Sequence, residues 1–277
     1  MSRRLVRRAP RSSMSLHRHR RTRLPLAASW AGVLLVGALL PDGLSAQAGP
    51  PYQTDDPDPV EYRHWEFYLA TQGVKADDVA AGTAPHIEVN YGASPGLQVH
   101  VLVPLAYAHP AGGPVAYGVG DVEVGVKLRL LTESRSRPMV GTFVQTEWPV
   151  GSAAEGLGTP ELHVLIPLWL QKSVGPWSTD LGGGYWVDFD GVNGNYWCMG
   201  WQVQRRFSER ATVGAEVYRT TAHGSAGGSF LSNVGLVLNL SDHDHLLVSA
   251  GRGLGGEPAL QAYLAYQLTL GPGHPGR

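Results

Sequence analysis

With one cysteine in 277 residues, Cys198, the chain has no means of building an internal disulfide framework or a multi-cysteine metal site. Long apolar runs are just as scarce. Only Leu24 to Leu40 is uncharged and mostly apolar, and nothing after it is long enough for a transmembrane helix. Positive charge is concentrated ahead of that run, in Arg3, Arg4, Arg7, Arg8, Arg11, Arg18, Arg20, Arg21 and Arg23. Removing residues 1–46 takes nine arginines and one aspartate from totals of 22 basic and 23 acidic residues, leaving 13 against 22. A surface that acidic is a poor partner for nucleic acid.

What is present begins with an export signal. A basic region, an apolar run and the small-residue stretch Leu44-Ser45-Ala46-Gln47-Ala48 follow in the order of a cleaved signal peptide. Cleavage after Ala46 or Ala48 fits, and Met14 is an alternative start. The small-residue site favours cleavage over an uncleaved anchor, and with no cysteine after the run this is not a lipoprotein signal. The early Ser2-Arg3-Arg4 lies too far from the apolar run to read as a twin-arginine signal. If the exported chain enters a membrane, it does so as strands.

The remaining sequence alternates with a period of two, the pattern of half-buried strands. In Gly120–Leu130, Val122, Val124, Val126, Leu128 and Leu130 oppose Asp121, Glu123, Gly125, Lys127 and Arg129. Leu97–Tyr107, Glu161–Leu170 and Leu260–Leu270 alternate in the same way. Strands are expected near 62–72, 84–92, 97–107, 120–131, 138–148, 160–170, 177–188, 196–206, 210–219, 230–240, 244–252 and 259–270. Short connections alternate with longer glycine-rich ones at 73–83, 108–119, 149–159, 189–195, 220–229 and 253–258, as expected of periplasmic turns and outer loops. Tyr107, Trp148, Trp177, Tyr185, Trp197 and Tyr218 lie near strand ends, where a bilayer interface holds amphipathic rings.

The expected architecture is therefore all-β, an antiparallel transmembrane β-barrel of about twelve strands preceded by a cleaved signal peptide. Its parts are a signal at 1–46, a periplasmic or plug-like segment at 47–61, the barrel at 62–270 and a tail at 271–277. The expected location is the outer membrane of a Gram-negative-type envelope. The expected partners are outer-membrane lipid, the barrel-insertion machinery and a small-molecule solute.

If the apolar face meets lipid, the opposite face lines the lumen. That face holds His64, Glu66, Glu88, His100, Asp121, Glu123, Lys127, Arg129, Glu147, Glu161, His163, Asp180, Arg206 and Glu216, together with His86, Asp188 and His245. Such a lining favours cations or a polar path. The alternative is a narrow barrel packed shut by its own side chains. Hairpin register is expected to set Glu88 opposite His100, an opposite-charge pair, and Asp121 opposite Glu147, a like-charge pair. For nucleophilic catalysis, Ser178 is expected opposite Trp169, away from His163, so no catalytic residue is assigned. His243-Asp244-His245 reads as a solvated turn, and neither a metal nor a cofactor is expected.

Tyr52-Gln53-Thr54-Asp55-Asp56-Pro57, His64-Trp65-Glu66, Gly120-Asp121 with Glu123 and Gly125, Leu170-Gln171-Lys172-Ser173 and Gly214-Ala215-Glu216 carry a resemblance. In these motifs the chain resembles the outer-membrane proteins grouped under the meta-pathway of phenol degradation. The resemblance implies an outer-membrane barrel that passes small, often hydrophobic or aromatic, compounds, and it carries over no catalytic residues. Two functional classes stand after this reading: a passive channel, and a structural or adhesive barrel with a closed lumen.

Overall fold

The computed structural model describes residues 50–189, 194–221, 227–255 and 259–272. The expected signal segment, residues 47–49 and most of the expected tail lie outside the described residues. The strands are β1 (Trp65–Lys75), β2 (Val79–Ser94), β3 (Leu97–Pro110), β4 (Ala116–Val119), β5 (Val122–Leu131), β6 (Met139–Trp148) and β7 (His163–Val174). They continue as β8 (Trp177–Asp188), β9 (Tyr196–Arg206), β10 (Ala211–Thr220), β11 (Phe230–Asn239), β12 (Asp244–Gly255) and β13 (Leu260–Leu270). Twelve of them form a closed antiparallel barrel, and β4 is a short addition to β3 within the following link. Closure is made by β13 on β1, paired from Trp65↔Leu270 to Lys75↔Leu260. A closed sheet leaves no unpaired edge, which is the condition for strands to stand in lipid.

Side-chain parity decides inside from outside. Val99, Val101 and Val103 on β3, Val124, Val126 and Leu128 on β5, and Ile166 and Leu168 on β7 are exposed on the outer wall. Their neighbours Gln98, His100, Glu123, Lys127, His163 and Trp169 are buried within. This inverts a water-soluble barrel, and ten to sixteen residues per full strand suffice to cross a bilayer at a tilt. Trp148, Trp177 and Trp197 are exposed near strand ends, with Tyr185 packed 4.8 Å from Trp197. Tyr218 departs from that expectation: its even-numbered position on β10 turns it inward, against the cluster of Leu165, Trp186 and Cys198.

The rims differ from the sequence expectation at one place. The link expected at 73–83 is only the turn 76–78, because β1 runs on to Lys75 and β2 starts at Val79. Val79, Ala81 and Thr83 are buried there, but so much of the stretch is small that the alternation is nearly invisible in the sequence. The opposite rim keeps its short turns, and both ends of the barrel sequence meet there at Trp65 and Leu270. Glu133, in one of these turns, receives Lys172 Nζ at 2.8 Å and the Ser173 N–H at 2.9 Å. Those donors hold its carboxyl below the usual carboxylate range.

Register differs in detail from expectation. An irregularity between Gly92 and Ser94 sets Asn90, not Glu88, opposite His100. A second, between Arg129 and Leu131, sets Glu123 opposite Glu147 and leaves Asp121 ahead of the strand. The tight turn at Gly175-Pro176 pairs Ser178 with Ser173 and Gly182 with Trp169. Bulges add a residue to one strand, and turn length sets all that follows.

Candidate functional site: the barrel lumen

The segment ahead of β1 lies inside the barrel. Pro51, Tyr52, Thr54, Asp55 and Pro57 are fully buried, although a stretch this rich in proline and aspartate forms no strand. Its free backbone groups find inward side chains instead. Glu216 on β10 accepts the N–H groups of Gln53 and Thr54, at 3.0 and 2.8 Å. Ser249 on β12 donates to the Pro51 carbonyl at 2.6 Å, and Gln98 on β3 accepts the Val60 N–H at 2.9 Å. Its charges are matched as well. Lys127 Nζ on β5 sits 3.0 Å from Asp55 Oδ1 and 3.8 Å from Asp56 Oδ1, and Arg129 pairs with Asp58. Contacts to β3, β5, β10 and β12 tie the segment to widely separated parts of the wall.

The wall is shaped to receive it. Gly214 and Gly235 are paired neighbours on β10 and β11 with their Cα atoms facing Tyr52. A Cβ at Gly214 would lie 2.5 Å from the Tyr52 hydroxyl, and one at Gly235 would lie 2.7 Å from its ring. At Gly200 a Cβ would meet Thr54 Oγ1 at 2.2 Å. Any other residue at these positions would close the seat. The sequence reading missed this feature; its signal is glycine at inward positions of otherwise ordinary strands.

The candidate lining residues divide three ways. Glu88, His100, Glu123, Lys127, Glu147, His163, Asp180 and Glu216 are buried and inward. His64, Glu66, Asp121 and Arg129 are half-buried. Glu161 and Arg206 are exposed, against expectation. Glu161 precedes β7, which begins only at His163, because Thr159 and its loop are held by Asp121. Arg206 ends β9 at the short-turn rim, where its side chain reaches water. Two clusters form among the buried groups. His100 lies 2.9 Å from Glu123 and 3.6 Å from Glu88, and its Nδ1 donates to Asn90 Oδ1 at 2.7 Å. His163 lies 3.3 Å from Asp188 and 3.6 Å from Glu147. The inward amides Asn90, Gln98, Gln145, Gln202 and Asn233, absent from the expected lining, supply donors to the buried carboxylates or to one another.

Toward the other end, the link 149–162 folds inward. Asp121 accepts the Gly151 N–H at 2.9 Å, the Thr159 N–H at 2.6 Å and the Thr159 hydroxyl at 2.7 Å. That anchor seats Leu157 against Ala106 and Ala108 and leaves a cavity of about 50 Å³ beneath it. A second space, about 590 Å³, lies between the N-terminal segment and β1, β2, β3, β5 and β6. At the expected solvated turn, Asp244 accepts the Ser241 hydroxyl at 2.6 Å and His243 Nδ1 donates to the Thr269 carbonyl at 3.1 Å.

No protein-family model and no curated protein matches the chain. Solved structures do. The COG4313 outer membrane channel from Pseudomonas putida F1 is similar with a TM-score of 0.66 at 15% identity, over 78% of this chain and 98% of that one. The KdgM porin is similar at 0.52 and 11% identity, over 75% and 99% of the two chains. The NanC porin is similar at 0.52 and 9% identity, over 74% and 100%. Identities this low speak to architecture: the chain has the fold of the outer-membrane β-barrels.

Proposed function

We propose that the protein is an outer-membrane channel for passive passage of small solutes, held shut at rest by residues 50–61. The carrying observation is the N-terminal segment itself, seated inside the lumen by side chains of four or more strands. A barrel whose interior served only stability has no need of glycine seats for an irregular strand-less segment. The apolar outer wall supports the location, and the channel and porin architectures among similar structures support the activity. Residues Tyr52–Pro57 and Gly214-Ala215-Glu216, two of the motifs that carry the resemblance to the phenol-degradation group, touch each other in the lumen. That contact supports kinship with the group, and with it a solute range that includes aromatic compounds. The inner wall suits such a range, since apolar patches such as Tyr68, Leu247 and Tyr263 interrupt its polar clusters. Lipid and the barrel-insertion machinery are its partners in this reading, and no catalytic role is assigned.

Planar-bilayer recording tests it. The mature chain is expected to open rarely, and a chain lacking residues 50–60 to show frequent conductance steps severalfold larger. Equal conductance from the two would remove the segment from the gate. Silence from both would return the barrel to a structural or adhesive role. Liposome uptake of phenol against ionic solutes then addresses the solute.

A further inference from the structure

The space of about 590 Å³ beside the N-terminal segment is within the size range of small-molecule sites. Its charge is unbalanced. Two cations line it, and each already has its own carboxylate: Lys127 has Asp55 and Asp56, and Arg129 has Asp58. Of the other carboxylates on its lining, Glu61 lies beside His64. Glu66 and Glu88 are diagonal neighbours on the inner faces of β1 and β2, where Glu66 pairs with Asn90 and Tyr68 with Glu88. Glu88 is only 4% exposed. Its Oε1 accepts Asn90 Nδ2 at 2.7 Å, while its Oε2 is buried and has no hydrogen-bond partner. His100, 3.6 Å behind it, directs Nδ1 to Asn90 and lies 2.9 Å from Glu123. A buried carboxylate oxygen without a donor is costly unless something in the adjoining space supplies one.

We propose that this cavity is a binding site for small organic ammonium ions. The ammonium lies between Glu66 and Glu88, donating to the unpartnered Glu88 Oε2, with its carbon body against Tyr68, Val60 and Phe143. Aromatic rings beside a carboxylate pair suit an alkyl- or arylalkyl-ammonium, whose carbon body packs on the rings while its charge meets the carboxylates. A bare metal ion fits less well: among the described residues no group of three or more His, Cys, Asp or Glu side chains is arranged to hold one. Glu61, exposed on the lining of the space, adds negative charge beside it. The site deepens the channel reading, and rests on it for the solute's route but not for binding.

Calorimetric titration of the intact mature protein in detergent, with the segment in place, tests this separately from conduction. 2-Phenylethylamine is expected to bind at least tenfold more tightly than neutral 2-phenylethanol, and phenylacetate not to bind. Glu88→Gln and Glu66→Gln should each weaken the amine at least tenfold, and Glu209→Gln, the same charge change on an exposed turn, should leave it unchanged. Glu66 is only half-buried, so its variant serves where Glu88→Gln fails to fold. Equal binding of the alcohol, unchanged affinity in Glu66→Gln, or no amine heat at all overturns the site. A silent bilayer with intact amine binding would instead count against the channel reading alone.

Discussion

Asp55 and Lys127 show how a single contact can decide whether a lumen is occupied. They are 72 positions apart in sequence, 3.0 Å apart in space, and both deeply buried, with the ammonium also 5.1 Å from the centre of the Phe143 ring. Removing one partner of a buried pair leaves the other charge stranded, at a cost of about 3–5 kcal/mol, whereas removing both is far milder. Here the cost falls on the docked arrangement, because the freed group can reach water when the segment leaves. Lys127→Met is therefore expected to raise the open fraction by about two to three orders of magnitude, taking 1.4 kcal/mol per factor of ten. The Asp55→Asn, Lys127→Met double variant should fall well short of the sum of the single effects, the mark of direct coupling. Single-channel open fractions at fixed voltage check this. Additive single effects would mean that the pair does not hold the segment.

At the scale of elements, the glycine seat makes a matching prediction. Gly235→Ala places a methyl 2.7 Å from the rigid Tyr52 ring, while Gly227→Ala on an outer link meets nothing within 4 Å. An aspartate-specific protease should cut Gly235→Ala before Asp55, Asp56 or Asp58 at least tenfold faster than it cuts the parent or Gly227→Ala. Equal cleavage in all three would mean that the ring has another place to go. The strands themselves were legible in the sequence because lipid outside and packed polar groups inside impose opposite chemistry on alternate residues, as along β5 and β13. Their registers were not, because the bulges at Gly92/Ser94 and Arg129/Leu131 are backbone events without a hydrophobic signature. The early start of β2 was hidden for a related reason: alanine and glycine satisfy either face. For the N-terminal segment, composition shows that it cannot be a strand, but its partners Glu216, Lys127 and Ser249 are gathered only by closure of the barrel. The inward direction of His100, Glu123 and Glu216 could be read from parity; their partners could not.

For the whole molecule, the question is what field a solute meets once the segment has left. The inner wall then keeps Glu66, Glu88, Glu123, Glu147, Asp180, Asp188 and Glu216, against Lys127 and Arg129 as permanent cations. Asp55, Asp56 and Asp58, which occupy those two cations in the docked state, depart with the segment and leave them bare. Carboxylates still outnumber cations, and a narrow low-dielectric lumen focuses that imbalance onto passing ions. The chain lacking residues 50–60 is therefore expected to prefer potassium over chloride, but incompletely, because Lys127 and Arg129 project into the path. Adding Lys127→Met to that truncated chain should move the zero-current potential under a tenfold potassium chloride gradient further toward the cation limit of about 59 mV. Adding Glu216→Gln should move it back. A potential near zero in the truncated chain, or one of anionic sign, would show that the bared cations rather than the carboxylates govern the path. The acidic wall would then serve to dock the segment and not to select the solute.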